Sequence, residues 1–319
     1  YFDFHNSIYS KLILALQNKL DKNYNFEINN LIEAHKIFLK STKKPTNQQY
    51  NYYSNLLPQF IERIPKMQIK DQSDLNPIFI MGLPRSGTSL VEKIITSGKN
   101  PIQYLGESDV IDKVFFAEKI IKDYDSEDLL TDFNFSDDHF LLLKEKILNQ
   151  YNDQGLKNNS IIFTDKSISN FLSFEIIKIL FPKAKFVYCY RNPLANILGI
   201  LRTFLPNVYW SHSLEKTFSM FNLYFKKLKM LKNNKFYNIH IVNLEELTQN
   251  PEMVSKKLYN YLNLDWDKDC IKKNNKNAII KTASNLQVRK EIMKHDLGYT
   301  SNYLKILNDL GFKDKWLTQ

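Results

Sequence analysis

The feature that most restricts this chain is the segment PIFIMGLPRSGTSLVEKII at residues 77–95. A short apolar run, Ile78–Met81, enters a loop bounded by Gly82 and Gly87, and a helical pattern leaves it at Thr88. Glycines let the backbone curl so that several amides point at one anion. The helix N-terminus adds a partial positive charge there. Strand, curled loop and helix in that order are what a phosphate loop requires. The spacing also restricts the anion. Gly82 and Gly87 stand at G-x-x-x-x-G, yet Thr88 follows where a nucleoside triphosphatase loop has lysine. The loop's own cation is Arg85. Such a cradle suits a 5′-phosphate bearing one further anionic group better than Mg-ATP. An ordinary strand–turn–helix with glycine at the bend shares the glycines but has no need of the arginine.

Short apolar runs alternate with helical segments on either side of this loop and beyond it. Strands are expected at Ile78–Met81, near Gln103–Leu105, at Ile161–Thr164, Lys185–Tyr190 and Ile239–Asn243. Helices are expected to start near Thr88, Ser108, Ser136, Asn170, Pro193, Ser213 and Pro251. Strands spaced by helices predict an α/β fold with a P-loop-like, mostly parallel sheet flanked by helices. Sites in such sheets gather at the carboxyl ends of the strands. This domain is expected to occupy residues 77–319. Residues 1–66 read instead as a helical extension, with apolar spacing at Ile8, Leu12, Leu14 and Leu16, then at Ile28, Leu31, Ile32, His35, Ile37 and Phe38. It looks like the possible end of a helical-repeat region, although no 34-residue repeat is visible. The polar stretch 67–76 reads as a linker. The first residue is Tyr1 rather than Met, so a fragment or a processed chain is expected.

Three further segments carry a resemblance. FPKAKFVYCYRNPLANILG (181–199) runs from a strand through Arg191-Asn-Pro into a helix, FTDKSISNFL spans 163–172, and TASNLQVRK spans 282–290. Together with PRSGTS at 84–89 they resemble the phosphosulfate loop, the 3′-phosphate motif, the Asp-Lys-x-x-x-Asn-Phe segment and the Thr-Ala-Ser-x-x-Gln-Val-Arg segment of PAPS-dependent sulfotransferases. The branch they resemble holds bacterial sulfotransferases that often follow tetratricopeptide repeats and are related to tyrosylprotein sulfotransferases. The resemblance covers about residues 25–310. Two positions depart from it: Gly199 stands where the family usually has serine, and Leu244 where relatives have tyrosine. The region after His295 also lacks the basic residue and tryptophan common near Gly298.

The resemblance implies transfer of a sulfuryl group from PAPS to a hydroxyl acceptor (protein tyrosine, glycan or small molecule), leaving PAP, with no metal. It implies that Glu107, in YLGESD, is the base. Arg85 and Lys166 would stabilise developing charge, with Ser284 as a hydrogen-bond donor. Pro84, Arg85, Ser86, Gly87, Thr88 and Ser89 would line the 5′-phosphate, and Arg191 with position 199 would meet the 3′-phosphate. Asp165 would orient its loop. Asn196 and Arg202 are weaker candidates for the 3′-phosphate, and His212 is a reserve base.

Composition agrees in outline. The net charge of +10 favours anionic partners, though no nucleic acid is expected. Hydrophobic residues at 43% suffice for a sizeable core. Cys189 and Cys270 belong to no CxxC or Cys/His cluster, which argues against a disulfide framework and makes a cytoplasmic setting the expectation; a bacterial one is what the resemblance implies. No run of about 18 apolar residues suggests a transmembrane helix. The alternatives are a non-catalytic binder of nucleotides or polyanions built on the same fold, and a P-loop kinase, against which Thr88 argues.

Overall fold

The computed structural model describes residues 2–42, 50–64, 74–117, 136–157, 161–234, 237–272, 292 and 297–312. In chain order the first elements are α1 Phe2–Leu20, α2 Tyr24–Thr42, α3 Leu57–Arg63, β1 Ile78–Met81, α4 Thr88–Thr96, β2 Ile102–Tyr104, α5 Val110–Ala117 and α6 Asp137–Asp153. They are followed by β3 Ile162–Asp165, α7 Phe174–Leu180, β4 Lys185–Tyr190, α8 Pro193–Leu201, α9 Leu214–Asn233, β5 Ile239–Asn243, α10 Leu244–Gln249, α11 Pro251–Leu262 and α12 Ser301–Asp309. The chain forms two compact units, one of residues 55–191 and 227–295, the other of residues 1–54, 192–226 and 296–319.

The first unit holds a five-stranded sheet in the order β2-β3-β1-β4-β5, and every pair in it is parallel. A parallel sheet needs cover on both faces, so its central strand reads as a continuous apolar run. β1 is Ile-Phe-Ile-Met and all four residues are buried. Alternation along it separates two kinds of packing. Ile78 and Ile80 join Val91, Ile94 and Ile95 of α4, Val187, and Val254 and Leu258 of α11 in an aliphatic layer. Phe79 points the other way, stacked on Phe186 at 5.8 Å between ring centroids and against Phe181 at 5.9 Å. Phe174 of α7 closes on Phe186 at 4.5 Å. Each such ring contributes about 1.5–3 kcal/mol by leaving water. The edge strands β2 and β5 are only half-buried.

Three of the five strands fall where the sequence places them, at Ile78–Met81, Lys185–Tyr190 and Ile239–Asn243. β3 is displaced by one residue: Ile161 is 56% exposed and outside the ladder, whereas Asp165 pairs with Phe79. The helix expected near Asn170 begins as a 3-10 turn, Ile168–Phe171, and becomes α-helical at Phe174.

In the second unit, α1 and α2 form a helical hairpin whose turn puts Lys22 at φ +61°. Ile8, Ala34 and Phe38 share a small core with Phe204. Glu27, 1% exposed, accepts from Arg202 Nε at 2.7 Å and from the Tyr303 hydroxyl at 2.6 Å. His35 and His212 meet through their Nδ1 atoms at 2.8 Å, and each turns Nε2 to a backbone carbonyl, of Leu201 and Leu205 respectively, at 2.9 Å.

Candidate active site

The parallel sheet brings the carboxyl ends of its strands to one edge. There β1 runs into the glycine loop, β2 precedes Glu107, β3 ends before Lys166 and β4 ends before Arg191.

Close approach explains both glycines in the loop. A Cβ on Gly82 would stand 2.6 Å from the Cys189 carbonyl oxygen and 2.6 Å from Ser86 Oγ. One on Gly87, at φ +100°, would stand 2.7 Å from Leu244 Cδ1. Leu244 thus packs onto the loop at the position where the resembling family has tyrosine. Arg85 takes a left-handed conformation at φ +66°, which non-glycine residues hold only when their surroundings impose it. Arg191 Nη1 donates to the Arg85 carbonyl at 2.9 Å. Burial, and then the charge of Arg191, lower the pKa of the Arg85 guanidinium. Two cations held this close raise each other's energy, and an anion between them reverses the sign.

Ser86 is 2% exposed and its hydroxyl has no partner among the described residues. The leading amides of a helix lie outside its own ladder, and α4 begins at Thr88 beside that hydroxyl. An orphaned hydroxyl, a cradle with no room for a Cβ and two arginines fit a phosphate group.

A second cluster sits at the end of β3. Lys166 Nζ meets Glu107 Oε1 at 2.5 Å, with the lysine side chain fully buried and that of the glutamate 43% exposed. Asp165 is fully buried and accepts four hydrogen bonds: from Ser108 Oγ at 2.6 Å, Tyr151 Oη at 2.5 Å, Ser167 N at 2.8 Å and Ser167 Oγ at 2.6 Å. Burial and the neighbouring Asp165 push the Tyr151 hydroxyl well above its usual pKa, so it remains a donor. Asp109 N donates to Ser167 Oγ at 2.8 Å. The loop carrying Glu107 is therefore fastened to the end of β3, and Asp165 is the post.

The sequence-predicted residues fall into four groups. Pro84–Ser89, Arg85 and Arg191 form one cluster, and Glu107 with Lys166 forms the other. Gly199 lies on α8 in the helical unit, as does Asn196, which is buried. Arg202 is engaged by Glu27, and His212 is buried against His35. Ser284 lies outside the described residues, as do the segment 282–290 around it and His295. Sequence reasoning missed Tyr151, Ser108 and Glu92, whose carboxyl is fully buried on α4. The signal for Glu92 was present: it occupies the core-facing stripe of TSLVEKIIT beside Val91 and Ile95.

Among the described residues no cluster of histidine, cysteine, aspartate or glutamate is suited to a metal ion, and no helix is long and apolar enough to cross a membrane.

The fold is that of a parallel α/β protein presenting cations and a glycine cradle at one sheet edge. Residues 77–268, more than half of the chain, match the family model described as the sulfotransferase family. The chain belongs to that family. An uncharacterized protein of Aquifex aeolicus is 24% identical over 315 residues, which cover 92% of this chain and 39% of that protein. The chain thus spans well under half the length of this curated relative. Among solved structures, the sulfotransferase domain from the Synechococcus PCC 7002 olefin synthase aligns at 14% identity and a TM-score of 0.44, covering 79% of this chain and 98% of that one. Mouse sulfotransferase SULT7A1 complexed with PAP aligns at 14% identity and a TM-score of 0.46, covering 83% and 89%.

Proposed function

We propose that this chain moves a sulfuryl group from PAPS to a hydroxyl acceptor. The observation that carries the reading is the buried Lys166 ammonium paired with Glu107 at the sheet edge that also holds the glycine loop. A pure anion binder has no need of a carboxylate there, whereas a transferase needs a base beside a cation.

PAPS held at this edge would supply the activated sulfuryl group on its 5′-phosphosulfate. Ser86, Gly87, Thr88 and Ser89 hold the 5′-phosphate through amides and hydroxyls, with Pro84 shaping the turn. Arg191 pairs with the 3′-phosphate by the two-pronged geometry open to arginine. Position 199, a glycine here, offers no hydroxyl to that phosphate. Glu107 takes the acceptor's proton while Arg85 and Lys166 offset charge on the sulfuryl and leaving oxygens. Ser284 adds a hydrogen bond to the transferring group. Residues 77–319 make up the transferase domain and 1–66 a helical extension, in the branch related to tyrosylprotein sulfotransferases. The acceptor class is a protein tyrosine, a glycan or a small hydroxyl compound.

Thermal unfolding with PAP tests the donor site. PAP at about a hundred times its dissociation constant adds about 2.7 kcal/mol to folding, a shift of several degrees. Arg85→Ala abolishes that shift, Mg-ATP gives little, and Glu107→Gln keeps the PAP shift while losing transfer. Absence of PAP protection in the intact protein overturns the reading in favour of a binding role or another donor.

A further inference from the structure

Both backbone polar groups of Gly106 are clamped at the candidate site. The Gly106 amide donates to Glu92 Oε1 at 3.2 Å, and the Gly106 carbonyl accepts from the Lys166 amide at 2.9 Å. Glu107 is the next residue. Glu92 Oε1 also accepts from the Thr164 hydroxyl at 2.8 Å, so a single oxygen ties α4, β3 and the loop after β2. The carboxyl is fully buried, and its Oε2 has no partner among the described residues. A buried carboxyl half-satisfied in this way costs free energy that an apolar residue would not. Leucine would suit the stripe of Val91, Ile94 and Ile95 better, so the glutamate is retained against packing.

We propose that Glu92 is a positioning residue that holds the Gly106 backbone through its amide and so sets Glu107 against Lys166. The role rests on the sulfotransferase reading given above. Because Gly87 caps the start of α4, the same helix links the phosphate loop to the loop of Glu107. Groups facing its carboxyl are Thr164, Asp165 and Lys166 from β3 and its end, Gly106 from the loop after β2, and Cys189 from β4. Burial, against the opposing charge of Lys166, pushes its pKa up to about 7. The folded state therefore holds a proton that the unfolded chain releases above the ordinary glutamate value of 4.5. Stability from this group is complete below that value and is lost as pH rises to about 7.

The test needs no acceptor. Reductive methylation with formaldehyde and a borohydride reagent, read by mass spectrometry, reports access to individual lysines. Lys227, half-buried and paired with Glu175 at 2.7 Å, serves as internal control. Glu92→Gln keeps Oε1 as acceptor and leaves Lys166 protected, whereas Glu92→Leu speeds Lys166 modification about tenfold or more and leaves Lys227 unchanged. Equal rates at Lys166 in both variants, or a joint rise at Lys166 and Lys227, refute the role. Urea midpoints between pH 4.5 and 7.5 provide the second arm. Glu92→Gln must remove the part of the decline that Glu92 causes, and an unchanged slope counts against the proposal even if Glu92→Leu does not fold. The PAP shift, measured alongside on the intact protein, separates the two ideas: its absence defeats the donor reading while the lysine pattern still judges Glu92.

Discussion

Asp165 shows how much of this site depends on single hydrogen bonds. Four donors surround a carboxylate that has no exposure to water. Removing one leaves the charge buried with an unfilled lone pair, which costs more than the bond itself contributes. Tyr151→Phe should therefore lower stability by about 1–3 kcal/mol in urea denaturation. It should also free the loop at Ser108, so Glu107 and Lys166 lose fixed geometry and transfer slows more than PAP binding weakens. An equal fall in both would show a general loosening instead. Tyr151 is fourteen residues from Asp165 in the chain, within α6. Nothing in the α6 sequence marks it as a site residue, because its role exists only through contact.

At the scale of elements, the two histidines join α2 to the 3-10 turn Tyr209–His212. Three contacts, carbonyl to ring, ring to ring and ring to carbonyl, call for three protons on nitrogen. Two neutral imidazoles carry two. A third would make a buried cation, which desolvation opposes. Burial accordingly lowers the pKa of both rings, that of His212 to about 4, with the His35 charge adding to the effect there. The unfolded chain takes up protons near 6.5, before the folded state does. Stability from this pair is thus present above that pH and is lost as pH falls toward about 4, opposite in sign to Glu92. Urea midpoints measured from pH 7.5 to 4.5 should contain both slopes, and His212→Gln should remove the acid-side loss. The same unit contains the Arg202–Glu27 pair, with the glutamate 1% and the arginine 19% exposed. Arg202→Ala should cost about 3–5 kcal/mol by leaving the carboxylate unpaired. A loss below 1 kcal/mol would mean that Tyr303 alone satisfies Glu27.

For the molecule as a whole, the order of strands does most to make the site. With β1 between β3 and β4, the glycine loop lies beside both Lys166 and Arg191, although 79 residues or more separate it from either in sequence. Phe79→Ala tests whether sheet and site are separable. It removes the ring between Phe181 and Phe186 and should cost about 3–5 kcal/mol. PAP affinity below the new melting temperature should stay within a few fold, because Phe79 faces the aromatic layer away from the carboxyl edge. A large loss of affinity would show that the edge depends on that layer.

The amino-acid sequence by itself determined the local events. Apolar runs, glycine pairs and caps act between neighbours, so Ile78–Met81, Lys185–Tyr190 and the start of α4 at Thr88 are legible without a structure. Arg85, Arg191, Lys166 and Glu107 were marked by the resemblance, and each follows a strand in the structure. Only the tertiary structure decided what those residues touch. It extended β3 to Asp165 by pairing it with Phe79, placed Leu244 on Gly87, assigned Arg202 to Glu27, and set Glu92 and Tyr151 around the loop of Glu107. The physical reason is that burial and hydrogen-bond satisfaction are properties of positions in space, and residues that share a position there need not be close in the chain.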